Sequence, residues 1–399
     1  MSYPLKTFWI LSLLAFWLTL SPPGSVLAHP HARGQVILDW NQQALDTVRI
    51  ERLGAFDAAR TYAMVNVAMF DAVNGINRRT HKSDLAHALV PPFGAPARAN
   101  RKAAAAAAAH AVLTALYPDQ ASTYDDQLDT HLNHLRGRGR IARGVAWGEY
   151  VGEQVVDLRA DDGTSPPETQ PGGSGPGEFR ADFGAAAFRN MTLFAIVDPL
   201  AYVSAGPPAL TSPEYLAAHT EVRLLGDVAY VNPAYDEIFS FWKAGGGSVR
   251  PPGEWIKIAI VAAGDQGTVR NLSETARLFT LLSMGLADAS ISVVHDKFTY
   301  HFWRPATAIR NASTDGNPDT VEDASWNPRN GSIGGSPEHT SGQSAFAGVG
   351  STILASFYGN DNITFSFTGD NAIAGSREFA SFGRVPIFPV RLRAEPGAK

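Results

Sequence analysis

The sequence predicts an all-α protein built as a bundle of helices. Apolar residues recur every three or four positions along most of the chain, which is the period of an amphipathic helix. No segment alternates apolar and polar residues between hairpin turns, as half-buried strands would. The chain has 399 residues, of which 45% are hydrophobic and 18% charged. It is therefore long and apolar enough to bury a sizeable core, and unlike a disordered or collagen-like chain.

Composition excludes several classes of function. The chain carries 33 Lys and Arg against 38 Asp and Glu, a net charge of −5. This small acidic excess provides no basic face for nucleic acid, so no nucleic-acid partner is predicted. The chain contains no cysteine, which removes disulfide frameworks, zinc ribbons, iron–sulfur ligation and thiol catalysis.

The first 28 residues have the pattern of a secretory signal peptide. Lys6 supplies a positive start, Phe8–Leu20 is an apolar run, and the small residues Val26 and Ala28 precede a cleavage site before His29. The alternative is an uncleaved membrane anchor, but the apolar run is too short to cross roughly 30 Å of hydrocarbon as a helix. The sequence therefore predicts a secreted or periplasmic protein with no membrane span after signal cleavage.

Helices are predicted in order along the rest of the chain. The apolar residues of Phe56–Ile76 fall at helical spacing, and Arg101–Tyr117 contains seven consecutive alanines, the best helix formers, before Pro118. The same periodicity predicts further helices at Tyr124–Leu135, Ile141–Leu158, Pro213–Leu225, Pro233–Trp242, Glu254–Ala263, Val269–Met284, Gly285–Trp303 and Ser341–Phe357.

A Gly- and Pro-rich connection at residues 161–179 divides the predicted helices into two groups. An N-terminal helical half covers residues 29–160, and a C-terminal helical core covers residues 180–382. The halves need not be separate domains, because such loops also occur inside single bundles. Residues 383–399 are rich in Arg and Pro without a helical stripe, and we expect an atypical tail, disordered or the product of a disrupted reading frame. A naturally divergent C-terminus is the alternative.

Two cations in the segment KFTYHFWRP are the first candidates for a binding site. Lys297 and Arg304 are seven residues apart, so on one helix they would lie about two turns apart on the same face. The planar fork of arginine and the point charge of lysine together suit a tetrahedral oxyanion. Pro305 places Arg304 at the helix end. The alternative is an ordinary surface pair whose aliphatic stems cover aromatic rings.

A second candidate is the start of the last predicted helix, in SPEHTSGQSAFAGVG. Ser341 is a good N-cap, and Gly342 would leave backbone N–H groups open to a ligand. The N-terminus of a helix attracts anions, so these two residues could bind the other side of the same oxyanion. The alternative is a plain capped helix whose small residues serve close packing.

These motifs resemble those of the vanadium-dependent haloperoxidase and type-2 phosphatidic acid phosphatase superfamily. The shared pattern is a Lys, six residues, Arg-Pro, and then Ser-Gly at a helix start. The stretches GLADASISVVHDKFTYHFWRPATAIR and WNPRNGSIGGSPEHTSGQSAFAG are similar to its haloperoxidase-like branch, and AMVNVAMFDAVNGI is similar more weakly. The likeness covers most of residues 38–382.

The resemblance implies a helical bundle of the vanadium haloperoxidase and acid phosphatase type, with vanadate, or phosphate in the phosphatases, as the bound group. Lys297 and Arg304 would bind its oxygens, with Ser341 donating from its hydroxyl and Gly342 from its backbone N–H. In the haloperoxidases, vanadate activates hydrogen peroxide for oxidation of a halide, which then reacts with a small organic acceptor. In the phosphatases, a histidine attacks phosphorus.

Two departures from the family pattern bear on activity. The residue after Ser-Gly is usually a histidine, but here it is Gln343, whose amide cannot carry a proton near neutral pH. A third motif, Ser-Arg-x-x-x-Gly-x-His, should supply another cation and the histidine that ligates vanadium. No histidine follows His339, and Ser376-Arg377 is followed by EFASF. The expected vanadate-ligating histidine is thus absent, and no metal ligand is predicted.

The sequence therefore predicts a haloperoxidase-like protein with an incomplete active site. Gln343 stands at the acid–base position, and His339 is a candidate substitute, although a satisfied or solvent-facing histidine is the alternative. Asp288 is either a partner of a nearby cation or a helix-surface carboxylate. The rival functions are a phosphate-monoester phosphatase of the same superfamily and a non-catalytic remnant. Halide preference, natural acceptor and oligomeric state are not predicted.

Overall fold

The computed structural model describes residues 32–79, 85–329, 331, 333–373 and 375–385. Its fold is a helical bundle, as predicted. In these residues the helices are α1 Gln35–Ile50, α2 Ala55–Arg79, α3 Arg101–Leu116, α4 Ala121–Asn133, α5 Arg138–Leu158, α6 Pro213–Leu225, α7 Pro233–Trp242, α8 Arg250–Asp265, α9 Leu272–Tyr300, α10 Pro305–Arg310 and α11 Gly342–Tyr358. A short antiparallel hairpin follows, with β1 Phe365–Phe367 paired to β2 Arg377–Phe379.

The hairpin and two of the helices were not predicted from the sequence. Each strand of the hairpin has three residues, and α10 has six, so these elements are too short to show a period. In α1 the buried side chains include the polar residues Asn41, Gln43 and Thr47. These polar residues interrupt the apolar stripe from which a helix is recognised.

The two helical groups share one hydrophobic core, which runs from Val36 on α1 to Val385. Helix α2 packs on α3 and α5 from its own half and on α9 from the other. Across the last contact, Thr280 donates a hydrogen bond to the carbonyl of Asn66 at 2.8 Å. The connection at 161–179 contains no helix, and the two halves are joined by packing rather than by this loop alone.

Aromatic rings pack at the C-terminal end of the described chain. The predicted signal peptide at 1–28 and residues 386–399 of the predicted tail lie outside the described residues, so both stay predictions. Residues Phe382–Arg384 form a 3₁₀ turn. The ring of Phe382 is buried against Phe365 and Tyr358, at centroid distances of 5.4 and 6.2 Å.

The helix boundary predicted at Gly285 is wrong, because α9 is one helix from Leu272 to Tyr300. A Cβ atom at Gly285 would lie 2.5 Å from Cδ1 of Ile353 on α11. The glycine therefore lets two helices approach closely and does not end one. Within the described residues, α9 is the one helix long and apolar enough to cross a membrane, but 72% of its most apolar window is buried inside the fold.

The seven alanines of α3 serve packing as much as helix propensity. Three glycines of α5, spaced four residues apart, face the backbone of α3, and these are Gly144, Gly148 and Gly152. A Cβ atom at Gly148 would lie 2.2 Å from the carbonyl oxygen of Ala104 and 2.9 Å from Cβ of Ala107. Small residues on both helices therefore permit a very short distance between their axes.

Replacing Gly148 by alanine is expected to destabilise the protein by about 1–3 kcal/mol, because the added methyl overpacks a rigid helix contact. The measurement is the free energy of unfolding in urea. Gly139→Ala is the matched control, since it lies on the same helix and a Cβ there would meet only Arg143 at 3.8 Å. That control should be neutral or slightly stabilising. Equal losses in both variants would contradict the proposed close contact.

Candidate oxyanion site

Lys297 lies on the last turn of α9 and is buried, with 4% of its surface exposed. Its Nζ donates hydrogen bonds to the carbonyl oxygens of Pro337 and Glu338. Burial, together with the nearby positive charge of Arg304, lowers the pKa of Lys297 to about 7. Burying a charged ammonium costs free energy when no carboxylate is hydrogen-bonded to it. A lysine with so strongly lowered a pKa is typical of functional sites rather than of the protein surface.

Arg304 does not continue the helix of Lys297, which corrects the predicted placement of both on one helical face. Helix α9 ends at Tyr300, and His301 takes a left-handed conformation with φ of 44°. Arg304 is extended, with φ of −79° and ψ of 153°, directly before Pro305 at the start of α10. The ring of a proline disfavours helical geometry in the residue before it, which explains the break.

The two cations nevertheless converge on the same short segment, residues 336–338. Arg304 donates from Nε to the carbonyl of Ser336 at 2.6 Å and from Nη2 to its hydroxyl at 3.0 Å. Its Nη1 pairs with the Glu338 carboxylate at 2.6 Å. Since Lys297 bonds the carbonyls of Pro337 and Glu338, both charges lie along one turn of chain just before α11.

Ser341 and Gly342 begin α11, as predicted. The Ser341 oxygen accepts hydrogen bonds from the backbone N–H and the hydroxyl of Ser344, at 3.3 and 3.1 Å. Its own hydroxyl hydrogen thus remains available to a ligand. A Cβ atom at Gly342 would approach nothing closer than 3.8 Å, from Phe346 and Val293. The helix N-terminus therefore has room beside its first N–H groups.

Gln343 and His339 point to different partners. The amide of Gln343 donates to the carbonyl of Trp242 at the end of α7, at 2.9 Å. Nε2 of His339 lies 2.6 Å from the hydroxyl of Ser204, and its ring meets Tyr300 edge to face at 5.5 Å. Gln343 is therefore held by the protein backbone, whereas His339 contacts a hydroxyl group.

Arg377 does not supply a further cation at this site. It lies on β2, pairs with Glu237 at 2.6 Å and covers the ring of Phe241. Among the residues that the structure describes, Lys297 and Arg304 are the two cationic side chains bonded to segment 336–338. No group of three or more His, Cys, Asp or Glu able to hold a metal ion occurs there either.

Two cavities in the described part of the chain are lined by residues other than Lys297, Arg304, Ser341 and Gly342. The larger, of about 330 Å³, is lined by residues that include Arg60, Thr61 and Tyr117 from the N-terminal half. A small one of about 30 Å³ is lined by residues that include Gln343 and Glu254. Lys297 and Arg304 instead donate to backbone carbonyl oxygens of segment 336–338.

Comparison with known proteins agrees with this architecture. Residues 277–389 match the family model of the VCPO second helical-bundle domain. The chain is similar to the first bacterial vanadium-dependent iodoperoxidase, with 22% identity, a TM-score of 0.70, and coverage of 88% of this chain and 87% of that one. The chain has the vanadium haloperoxidase fold. The predicted resemblance to that superfamily is confirmed.

A second vanadium haloperoxidase structure is also similar. The holo-type bacterial vanadium-dependent chloroperoxidase shares 15% identity, with a TM-score of 0.58 and coverage of 83% of this chain and 84% of that chain. Its apo-type structure matches with a TM-score of 0.57. No curated protein sequence matches the chain significantly.

The donors on this haloperoxidase fold suit an oxyanion bound through its oxygens. Two cations, a serine hydroxyl and an open helix N-terminus match the charge and shape of vanadate or phosphate. The nearest imidazole described along this segment, that of His339, is engaged with Ser204. The residues therefore fit the oxygen atoms of the group, whereas a nitrogen ligand for vanadium has no counterpart among them.

Four polar residues of α9 were not recognised as a group from the sequence. Asp288, Ser292, Asp296 and Tyr300 lie four residues apart along α9, so they share one face of an otherwise apolar helix. Each binds the 194–204 segment, which runs along this face. Asp288 is not a surface carboxylate, because it is buried and accepts three consecutive backbone N–H groups, those of residues 194–196. Burial raises the pKa of its carboxyl, and the nearby charge of Arg159 opposes that rise. The four-residue spacing of these polar residues was the sequence signal that could have predicted a polar face on α9.

Near the C-terminal end of α9, Asp296 connects the 194–204 segment to the segment just before α11. It is buried and accepts hydrogen bonds from the N–H of Ser204 and from the hydroxyl of Thr340. Tyr300 donates to the carbonyl of Ser204 at 2.8 Å. The 194–204 segment and the 336–341 segment are therefore held together at the end of the helix that carries Lys297.

Proposed function

We propose that the protein binds vanadate through Lys297, Arg304, Ser341 and Gly342 and is a haloperoxidase that oxidises a halide with hydrogen peroxide. The observation that carries this proposal is the convergence of two cationic side chains on one segment beside the N-terminus of α11. The fold of bacterial iodo- and chloroperoxidases supports the reaction type. A small organic molecule would accept the oxidised halogen.

Each residue has a role set by its charge and hydrogen-bonding capacity. When bound, vanadate supplies the activation of peroxide. Lys297 and Arg304 neutralise the oxyanion, and Ser341 and Gly342 hydrogen-bond its oxygens. To bind, the oxyanion must take the place of the carbonyl oxygens of segment 336–338 that now occupy both cations. We therefore expect weaker binding than an open, pre-formed cage would give.

The test is vanadate-dependent bromination of a phenol dye by the purified full chain with bromide and hydrogen peroxide. Arg304→Ala removes charge-assisted hydrogen bonds of roughly 1.5–3 kcal/mol in total, so the vanadate concentration for half-maximal rate should rise about 10- to 150-fold. Arg277→Ala is the control, because that arginine lies on α9, its side chain is partly exposed, and it pairs with Glu274 at 3.6 Å and lies over the ring of Phe357, away from segment 336–338.

Other outcomes separate the rival functions. Release of phosphate from p-nitrophenyl phosphate without bromination would favour the phosphatase. No bromination and no phosphate release, together with no vanadate binding by calorimetry, would favour the non-catalytic alternative. If Arg304→Ala needs the same vanadate concentration for half-maximal rate as the wild type, the proposed site is wrong.

A further inference from the structure

Each polar group of Ser204 forms a hydrogen bond. Its N–H donates to Asp296, its carbonyl accepts from Tyr300, and its hydroxyl contacts His339. The N–H of Gly206 donates to the same hydroxyl oxygen at 3.2 Å. A serine fixed at four points has lost the rotational freedom that a surface hydroxyl normally keeps, so its oxygen is preorganised.

The Ser204 hydroxyl lies within hydrogen-bonding distance of the imidazole. Its oxygen accepts from the N–H of Gly206 and lies 2.6 Å from Nε2 of His339. In the neutral tautomer that carries its hydrogen on Nδ1, Nε2 accepts the hydroxyl hydrogen of Ser204. Burial lowers the pKa of His339 below its ordinary value, against the opposing charge of Asp296, so the ring is neutral and able to accept a proton at neutral pH.

Charged groups of both signs lie beside this pair. The carboxylate of Asp296 accepts the N–H of Ser204, and Lys297 donates to the carbonyl of Glu338, the residue that precedes His339. The Ser204 and His339 side chains are only half-buried, and the adjoining Tyr202 and Ala205 are exposed. A small molecule can therefore reach the hydroxyl from solvent.

We propose that Ser204 is a nucleophile activated by His339 as general base, and that the pair cleaves esters of short-chain carboxylic acids. A hydroxyl within hydrogen-bonding distance of a neutral imidazole is the arrangement that activates serine for acyl transfer. A small acyl group is the substrate we propose, because neither of the two cavities described above is lined by Ser204 or His339.

The reaction balances without a redox partner. The Ser204 oxygen bonds to the ester carbonyl carbon while its proton moves to Nε2 of His339. The alcohol leaves with that proton as the carbon–oxygen bond of the ester breaks. Water then attacks the acyl-serine, His339 takes a proton from the water, and the carboxylic acid departs as the proton returns to Ser204. Neither vanadate nor peroxide takes part, so this activity stands independently of the proposed haloperoxidase function.

The experiment is covalent labelling of the full chain with an alkyl fluorophosphonate, followed by intact-mass measurement and peptide mapping. The expected result is one adduct, on Ser204, and none on Ser204→Ala. In His339→Gln the amide can still hydrogen-bond Ser204 but cannot accept its proton, so labelling should slow about 100-fold or more. The same variants should lose hydrolysis of p-nitrophenyl acetate in parallel.

Ser292→Ala provides a control for the position of the segment. Ser292 donates to the carbonyl of Pro199 and holds the same 194–204 segment, but it does not contact the imidazole. This variant should be labelled at the wild-type rate. No adduct in the wild type, an adduct that maps elsewhere, or wild-type labelling of His339→Gln would overturn the proposal. So would equal slowing in Ser292→Ala and His339→Gln, since anchoring would then explain both.

Discussion

Replacing Lys297 by methionine is expected to weaken the binding of a tetrahedral oxyanion by about 10- to 150-fold, the loss of a charge-assisted contact of roughly 1.5–3 kcal/mol. The chain length and apolar stem of lysine are largely retained in methionine, so the charge is the main change. Calorimetric titration with sulfate measures the effect and avoids the protonation of vanadate, because the charge of sulfate is constant across the neutral range.

The pH dependence of this binding follows from the lowered pKa of Lys297, about 7. Sulfate binds the charged form, so affinity should level off well below pH 7 and fall by about tenfold for each pH unit above it. Lys297→Met should bind weakly and show no such dependence. An unchanged affinity in the variant, or a flat profile in the wild type, would contradict the assignment of Lys297 to the oxyanion.

The same substitution separates a functional role of Lys297 from a structural one. The pKa of Lys297 is below that of an unfolded lysine, so its charge costs folding free energy fully below about pH 7, and this cost disappears as the pH rises toward about 10.4. Lys297→Met should therefore melt at the same or a higher temperature than the wild type at pH 6. A large loss of stability would indicate that the hydrogen bonds to segment 336–338 matter mainly for folding.

Replacing Asp370 by asparagine is expected to produce the largest loss of stability, about 3 kcal/mol, because two partly buried cations lose their shared carboxylate. Asp370 lies in the turn after β1 and pairs with Arg49 at 2.8 Å and Lys257 at 2.6 Å. Its carboxylate also accepts from the N–H of Val249. In the variant, Arg49 can still pair with Asp46 and Lys257 with Glu254. These remaining ion pairs limit the loss of stability. The measurement is the free energy of urea unfolding at pH 7.

The effect of Asp370 on stability should depend on pH in a defined direction. Burial alone would raise the pKa of its carboxyl, but hydrogen bonds from Arg49 and Lys257 outweigh burial and hold the pKa well below its ordinary value. The stabilisation is therefore complete above the unfolded pKa of about 3.9 and is lost as the pH falls below it. The difference between wild type and Asp370→Asn should shrink in acid.

Asp46→Asn is the matched control for this prediction. Asp46 pairs with the same Arg49, but it is 45% exposed, so its loss should cost no more than about 1 kcal/mol. A similar loss in both variants, or a difference that grows in acid, would show that the ion cluster around Asp370 does not stabilise the fold in this way.

The sequence predicted most helices because their signal is local. Helices α6 and α7 begin and end at the residues that the periodicity predicted. In the structure, Ser212 and Asn232 cap them, and a proline follows each cap. The boundary predicted at Gly285 failed for a different reason. A glycine inside a helix reads as an interruption, but here its role is to admit Ile353 from α11, a contact that no local pattern contains.

The geometry predicted for Lys297 and Arg304 was partly wrong. The spacing of Lys297 and Arg304 suggested one helical face, whereas the break at His301 separates them. They meet through segment 336–338 instead. Asp296 and Ser204 were not predicted because their importance comes from contacts with each other and with Thr340 and His339.

By itself, the sequence determined the helical class, the capped helix start at Ser341, and the two cations that make an oxyanion site conceivable. These depend on propensity, capping and charge, which act over a few residues. Only the tertiary structure decided that Lys297 is buried with a pKa of about 7, that Arg304 lies beyond the helix end, and that Ser204 faces His339. Burial and hydrogen bonding between distant segments depend on how helices pack, and packing brings together residues that are far apart in the chain.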